Sequence, residues 1–599
     1  MQDKTIYKDS CFKGTQCHHT ALQKTWNLGD SSCFINNLHS EIGIFLKKLY
    51  LCGVDEHMTT MKHYLKTLEN TIHNHWNLKA LCDYGGESFT YGNLATHIEQ
   101  MRLFFEATGI KKGDKIAICA RNSARWAMAF WGVNVNECVV VPILADFHPD
   151  SVSNLTNHSD SVMLFTNEDI WSKMNPDDMP NLKAAINVKD NKVLWHRDEE
   201  IVKAWEKREE AFAEKYPSGM MPGDVSYPGK NFYDLAIINY TSGTTGNPKG
   251  VMLTYGAISD IDQFANANFP NTPGETIVSM LPMAHMYGLA IEFIHPNVDG
   301  VTVYFLGKTP SPTTLLKAMK EVRPYMVITV PLVMEKIYAN SIKPALEKRK
   351  KLMRIPGMKR VIYSAARRTI MKVFGGQVQC FIMGGAALNP EAERCFKKMK
   401  LPFTVGYGMT EACPLLAYTW WKDFVPGSCG KPVHEVRIDS DDPQHKAGEI
   451  QARGANLTIG YYKNPEATEA SFTNDGWFRT GDLGVMDKNG NIFIRGRIKS
   501  MILNSSGQNI YPEEVEAIVS NCQYVDECLV VDRKGKIVAL VYTDLPESMD
   551  DETKAALPAQ IRDEANLSLP AYSKITKVEM LDTPFEKTPK MSIKRFLYK

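Results

Sequence analysis

The stretch TSGTTGNPKGV, residues 241–251, follows the apolar run LAIINY and gathers phosphate-binding chemistry into one turn. Gly243, Gly246 and Gly250 let backbone N–H groups come close to an anion. The hydroxyls of Thr241, Ser242, Thr244 and Thr245 add donors, and Lys249 supplies a point charge suited to a polyphosphate. It is not the Gly-Lys-Ser/Thr loop of many nucleotide-binding proteins, because Pro248 precedes Lys249 and Gly250 follows it. A lone glycine pair would read as a plain turn; a strand leading into this density of donors reads as a phosphate cradle.

Four further strings carry chemistry: GGAAL (384–388), GYGMTE (406–411), GWFRTGDLG (476–484) and IRGRIKSMI (494–502). Thr410 and Glu411 put a hydroxyl beside a carboxylate, although Thr-Glu is also a way to start a helix. Asp482 carries two acceptor oxygens, but Gly-Asp also favours turns. His285, in LPMAHMYG, stands alone, and a lone histidine is more often a satisfied core or surface residue.

Taken in this order, the five strings resemble the signature of the adenylate-forming superfamily: acyl- and aryl-CoA synthetases, peptide-synthetase adenylation domains and beetle luciferases. The resemblance runs from about residue 60 to the end, and VRPYMVITVPLVMEKIY (322–338) and LPMAHMYGL are most similar to long-chain fatty acyl-CoA synthetases. It implies that ATP accepts carboxylate attack at its α-phosphorus, giving an acyl-adenylate and pyrophosphate. The acyl group then passes to the thiol of CoA or, alternatively, of a carrier protein. A nucleotide-binding homologue with little turnover is the other reading; loss of Glu411 or Asp482 would favour it, and both are present.

The resemblance also assigns residues. ATP would lie against Thr241, Ser242, Gly243, Thr244, Thr245, Gly246 and Lys249, and against Gly384, Gly385, Ala386, Gly406, Tyr407 and Gly408. Tyr407 would stack on adenine, Thr410 would bond the α-phosphate, and Asp482 joined by Arg497 would take the ribose. Glu411, helped by Thr241, would hold Mg2+. His285 would line the acyl-carboxylate pocket, and MYGLAIEF, TVPLVM and EACPLL offer apolar lining for a fatty chain. Lys499 matches an interdomain hinge, and Gly507 would let the pantetheine arm of CoA approach the backbone.

Near the C-terminus the family ends Thr-Pro-x-Gly-Lys, whereas KTPKMSIKRF (587–596) puts Met591 at the glycine and Ser592 at the catalytic lysine. Lys590 and Lys594 are the nearest substitutes; a flexible stem covers a two-residue offset, and we take Lys590.

The elements that must position these residues are short. KIAICA, CVVVPI, LAIINY, TIVSML, VTVYFL, YMVITV and QCFIMGG are buried-strand runs, most of them separated by amphipathic helices, so the fold class is α/β with parallel-rich sheets covered by helices. EVRIDS, GEIQARG and GNIFIRGR form a small β-rich subdomain. A final mobile α+β domain contains the helix PEEVEAIVSN, a hairpin at Lys534-Gly535 and a helix near IRDEAN. We expect a large domain over 58–497 and a small one over 498–599. Met58 opens an amphipathic helix. Residues 1–57 read as a poorly ordered extension with Met58 or Met61 as the natural start, since their cysteines and histidines lack zinc-ligand spacing.

Composition agrees with a multidomain globular chain of 599 residues. A net charge of +1 gives no reason to expect nucleic acid. The thirteen cysteines, mostly in apolar runs, and the missing signal-peptide pattern point to reduced thiols and a cytoplasmic protein. Its oligomeric state is open, a dimer being one option. One segment departs from neutrality: 343–372 is strongly basic and amphipathic. It is either a solvated helical pair or a peripheral contact with an anionic membrane.

Overall fold

The computed structural model describes residues 61–599, apart from 242–247, 308–311, 504–508, 534, 546–548, 588–592 and 599. The 1–57 extension, Ser242, Gly243, Thr244, Thr245, Gly246, Gly507, Lys590 and Ser592 therefore lie outside the described residues.

Two large sheets organise the main body. The first has seven strands in the order 403–405, 380–383, 326–329, 276–279, 302–305, 79–83 and 88–90, all parallel except the last. The second has eight, in the order 460–461, 249–254, 235–241, 139–142, 115–119, 161–166, 184–187 and 193–196. Its five inner neighbours from 235–241 to 184–187 run parallel, and antiparallel strands finish both edges. Ile116, Ile118, Val140, Ile237, Val303 and Ile328 are wholly enclosed, because helices cover both faces and each strand must be apolar throughout.

The amphipathic helix expected from Met58 begins at Tyr64 and ends at His75. The later start has a local cause: Nδ1 of His63 accepts from the backbone N–H of Leu65, capping the first turn.

The β-rich subdomain is an antiparallel sheet in the order Glu435–Asp439, Gly448–Arg453, Phe478–Met486 and Ile492–Arg497. The chain leaves it through a turn in which the N–H groups of Ser500 and Met501 both donate to the carbonyl of Arg497, and Lys499 lies in that turn. The last domain pairs Glu527–Arg533 with Lys536–Tyr542 as the expected hairpin and adds Lys577–Leu581 in parallel. Helices Pro512–Val519 and Asp551–Ser568 close a separate core through Val515, Val519, Leu557 and Ile561. The nine described cysteines are free and buried, as expected of core thiols. Among the described residues, no helix is long and apolar enough to cross a membrane.

Candidate active site

The strands on either side of the phosphate-type segment pair antiparallel. Thr241 and Lys249 face one another across its base, in strands Leu235–Thr241 and Lys249–Thr254. Strand Gly460–Tyr461 pairs with the outer side of Lys249–Thr254, setting Tyr461 opposite Val251. From there the Tyr461 hydroxyl donates to Glu411 Oε1 at 3.0 Å, and Lys249 Nζ lies 4.7 Å from the centre of the same ring. Two backbone-level ties fix the contact: the N–H of Thr458 donates to the Glu411 carbonyl at 2.7 Å, and its hydroxyl donates to the carbonyl of Met252 at 2.8 Å. Lys249, Tyr461 and Glu411 thus form one chain, although the sequence reading named only its two ends.

Glu411 is carried by a single 3-10 turn, Thr410–Ala412. The buried amide of Asn456 holds that turn by donating to the carbonyls of Ala412 and Leu415. The turn is tight enough that Gly408 admits no side chain, because a Cβ there would meet the Pro414 carbonyl oxygen at 2.0 Å.

Three strand ends bring the other segments in. The N–H of Gly384 donates to the Thr329 carbonyl and that of Gly406 to the Met383 carbonyl. The Tyr287 hydroxyl donates to the carbonyl of Ile382 at 3.1 Å and, more weakly, to that of Thr329 at 3.4 Å. Its ring lies so near Gly384 that an added Cβ would be 3.1 Å from it. Gly385 and Ala386 are exposed just beyond. His285 is half-buried on the loop before Tyr287, and its neighbour Ala284 is fixed by Asn239, whose amide donates to the Ala284 carbonyl at 2.9 Å.

The same loop rests on a buried acid. Glu292 lies wholly inside the π-helical turn Gly288–Ile294, where its Oε2 accepts from the N–H groups of Met280 and Leu281 and from the Ser279 hydroxyl. Its Oε1 has no partner, and burial pushes the carboxyl up to about 8.

Asp482 is buried between two partners. The Tyr407 hydroxyl donates to its Oδ2 at 2.7 Å, and Arg497 Nε pairs with its Oδ1 at 2.9 Å. Strand pairing places Asp482 directly opposite Arg497. Burial first, and then the neighbouring carboxylate, hold the Tyr407 phenol well above its usual range. The segments expected at adenine and ribose therefore meet through a hydrogen bond.

The flanks of the 588–592 segment are anchored on their own domain. Lys587 and Ile593 form a β-bridge, Lys587 pairs with Glu527, and Arg595 pairs with Glu516. Lys594, one of the two substitutes for the usual lysine, pairs with Glu586 at 3.1 Å. The small domain touches the large one where the Asn389 amide donates to Asn521, directly after GGAAL.

These residues fit a nucleotide with magnesium. Glu411 is a hard oxygen donor already oriented by one hydrogen bond, and Asp482 keeps a carboxylate between two donors. Asp262, His295 and Asp299 also bring ligand-type atoms within 4.8 Å of one another. However, that imidazole faces both carboxylates, while Asn266 and Asn271 donate to Asp299, so the group is satisfied as a core cluster.

Tyr461, Asn456, Asn239 and Glu292 were absent from the sequence reading. Asn239 and Glu292 left a signal, each being a polar residue within an apolar run. Tyr461 left none, because its importance comes from pairing with a strand some two hundred residues earlier.

Comparison with known proteins gives the family. Residues 68–462 match the model of the AMP-binding enzyme family, and residues 499–598 match the AMP-binding enzyme C-terminal domain. Long-chain-fatty-acid–CoA ligase FadD15 of Mycobacterium bovis is 27% identical over 563 residues, covering 84% of this chain and 89% of that protein. A long-chain-fatty-acid–[acyl-carrier-protein] ligase of Arabidopsis thaliana, AEE15, is 25% identical over 593 residues, covering 84% and 80%. The structure of O-succinylbenzoate coenzyme A synthetase from Bacillus subtilis with ATP and magnesium superposes with a TM-score of 0.69 at 22% identity, covering 88% of this chain and 98% of that one, a likeness of fold. With a family model spanning well over half its length and all five signature strings in order, the chain belongs to the AMP-binding enzymes, the adenylate-forming superfamily, and long-chain fatty acyl-CoA ligases are among its relatives.

Proposed function

We propose that the protein is an acid–thiol ligase that joins a fatty acid to CoA through an acyl-adenylate, releasing AMP and pyrophosphate. The observation that carries this reading is the Lys249–Tyr461–Glu411 chain beside the Tyr407–Asp482–Arg497 chain. One set orients a cation and an anion where a polyphosphate with its metal would lie, and the other presents a carboxylate to a ribose. A homologue that binds nucleotide with little turnover would keep both sets, so acid-stimulated pyrophosphate release separates the two readings.

In this reading Glu411, helped by Thr241, would hold Mg2+, which would neutralise phosphate charge. Lys249 and the hydroxyl-rich loop bind phosphate. Thr410 donates to the α-phosphate as it gains charge, the kind of stabilisation that lowers a barrier most. Tyr407 flanks the base, Asp482 accepts from the ribose, and His285 faces the acid's carboxylate. Lys590 bridges carboxylate and phosphate in place of the lysine missing at 592; Lys594 is the weaker candidate because Glu586 already engages it. Rotation at Lys499 brings 504–508, with Gly507, to the site for the thiol step, a hinge motion of an ordinary kind.

The reading of a long or medium chain rests on the apolar segments MYGLAIEF and TVPLVM, in which Met286, Leu289 and Met334 are buried. The likeness to AEE15 keeps a carrier-protein thiol as the second acceptor. The test is pyrophosphate release with acids of graded chain length, each with CoA, with a carrier protein bearing pantetheine, and with neither. Release stimulated by long acids and thioester formed only with CoA supports the reading. Thioester formed only on the carrier protein moves it to the second acceptor, and no acid-stimulated release removes it.

A further inference from the structure

Strands Met326–Thr329 and Cys380–Met383 are parallel neighbours, so the chain must cross over between them, for which about a dozen residues suffice. The crossover here is much longer. It runs through helix Pro331–Ile337, a π-turn Tyr338–Ile342, helix Lys343–Glu347, a 3-10 turn Leu352–Arg354 and helix Met358–Val373. Its inner side is ordinary core, with Met334, Tyr338, Ile342 and Ile370 packed in one cluster with Phe374, Phe381 and Phe396.

The outer side is not. Leu352, Ile355 and Val361 are 41%, 52% and 58% exposed and gathered at one tip. Successive backbone bonds hold that tip: Ile355 N–H to the Leu352 carbonyl, Met358 N–H to the Ile355 carbonyl and Val361 N–H to the Gly357 carbonyl. Around it stand Lys348, Arg349, Lys350, Lys351, Arg354, Lys359 and Arg360, all exposed. Segment 343–372 holds eleven basic residues and one acid, a net of +10, whereas the whole chain carries +1, so the remaining residues carry a net −9. Among the described residues, Lys343 with Glu391 is the one ion pair this segment makes.

A solvated helical pair would place acids three or four residues from its bases and keep aliphatic side chains off its tip. A nucleic acid would engage the cations but gain nothing from three exposed aliphatics. An anionic bilayer uses both, cations among the headgroups and aliphatics at the acyl boundary.

We propose that the Leu352–Ile355–Val361 tip and its basic ring seat this protein on an anionic lipid bilayer. The crossover leaves the sheet at Thr329, beside the candidate site, and rejoins it at Cys380, which lies next to Met326 at the opposite strand end. Docking would hold the enzyme at the surface of the phase in which long-chain acids partition. This delivery role rests on the fatty-acid reading; the docking itself does not.

The test is flotation of the full chain with neutral phosphatidylcholine vesicles and with vesicles containing 30% phosphatidylglycerol, without ATP or acid, at low and high salt. The proposal expects roughly a hundredfold preference for the anionic vesicles, largely lost at high salt. L352S/I355S/V361S should weaken vesicle binding about tenfold while leaving heparin binding unchanged. K350E/K351E/R354E should abolish both. All these residues are exposed, and circular dichroism with a melting curve checks that the variants fold. Equal binding to neutral and anionic vesicles overturns the proposal. Loss with the charge reversals but none with the serine variant also overturns it, in favour of a polyanion site. Activity is a separate readout: stimulation by anionic vesicles of a long acid, but not of a water-soluble short one, and its loss in the serine variant support delivery. Docking without stimulation removes delivery alone, and docking with no acid activated at all removes the fatty-acid reading while leaving docking in place.

Discussion

The hydroxyl of Tyr461 donates to Oε1 of Glu411 at 3.0 Å, and the ammonium of Lys249 sits 4.7 Å from the centre of the Tyr461 ring. One aromatic side chain therefore positions both the acid proposed to hold magnesium and the cation proposed to meet phosphate. Tyr461→Phe keeps the ring and removes the donor. A hydrogen bond to a charged group is worth enough that we expect a roughly ten- to a hundredfold fall in acid-dependent pyrophosphate release. The magnesium concentration giving half-maximal rate should rise with it. Tyr461→Leu removes the cation–π contact as well and should raise the KM for ATP further. Unchanged magnesium dependence in Tyr461→Phe would show that Glu411 needs no such support.

Asp482 is held by Tyr407 and Arg497 from two sides. Asp482→Asn keeps its shape but removes the charge Arg497 faces and one of the acceptor oxygens. We expect the KM for ATP to rise about tenfold or more, with the smaller change in kcat, because a ribose contact is made equally in ground and transition states. Tyr407→Phe should have the same sign and a smaller size. Steady-state kinetics at varied ATP checks both.

Gly408 sits where a Cβ would meet the Pro414 carbonyl oxygen at 2.0 Å. Gly408→Ala therefore requires backbone movement in the turn that carries Thr410 and Glu411. Overpacking of this kind costs about 1–3 kcal/mol, so a lowered melting temperature should accompany loss of adenylation. A fully active variant of wild-type stability would contradict this geometry.

Glu292 titrates at about 8 in the fold because burial disfavours its charge. The folded state thus retains a proton that the unfolded state loses near the ordinary glutamate value. That stabilising contribution is complete below the unfolded value and is lost as pH rises towards 8. Glu292→Gln cannot ionise. Relative to this variant, the wild type should lose up to about 1.4 kcal/mol per pH unit between pH 5 and 8. Urea melts across that range read the difference, and parallel curves would mean the carboxyl is not buried as described.

Much of this was legible in the chain itself. Runs such as KIAIC and LAIINYT read as buried strands because helices on both faces leave no solvent side to alternate with, and each formed where expected. Asp482 and Arg497 could be named from their strings, while their pairing across two antiparallel strands needed the register. The amphipathic helix was found but placed too early, since capping by His63 is a local geometric event that periodicity does not show. Tyr461 was not legible, because its neighbours Glu411 and Val251 are fifty and two hundred and ten residues away. The pairing of Lys594 with Glu586 was missed for a related reason: it depends on how the C-terminal turn folds back on itself.

The central claim is that these residues activate a carboxylic acid as its adenylate. Exchange of labelled pyrophosphate into ATP tests it most directly, because it reports the first half-reaction alone and needs no thiol acceptor. With magnesium and a long-chain fatty acid, the wild type should exchange, Glu411→Gln should fall to background or close to it, and Asp482→Asn should need about tenfold more ATP to exchange. Exchange that is independent of added acid, or that survives in Glu411→Gln, would contradict the account.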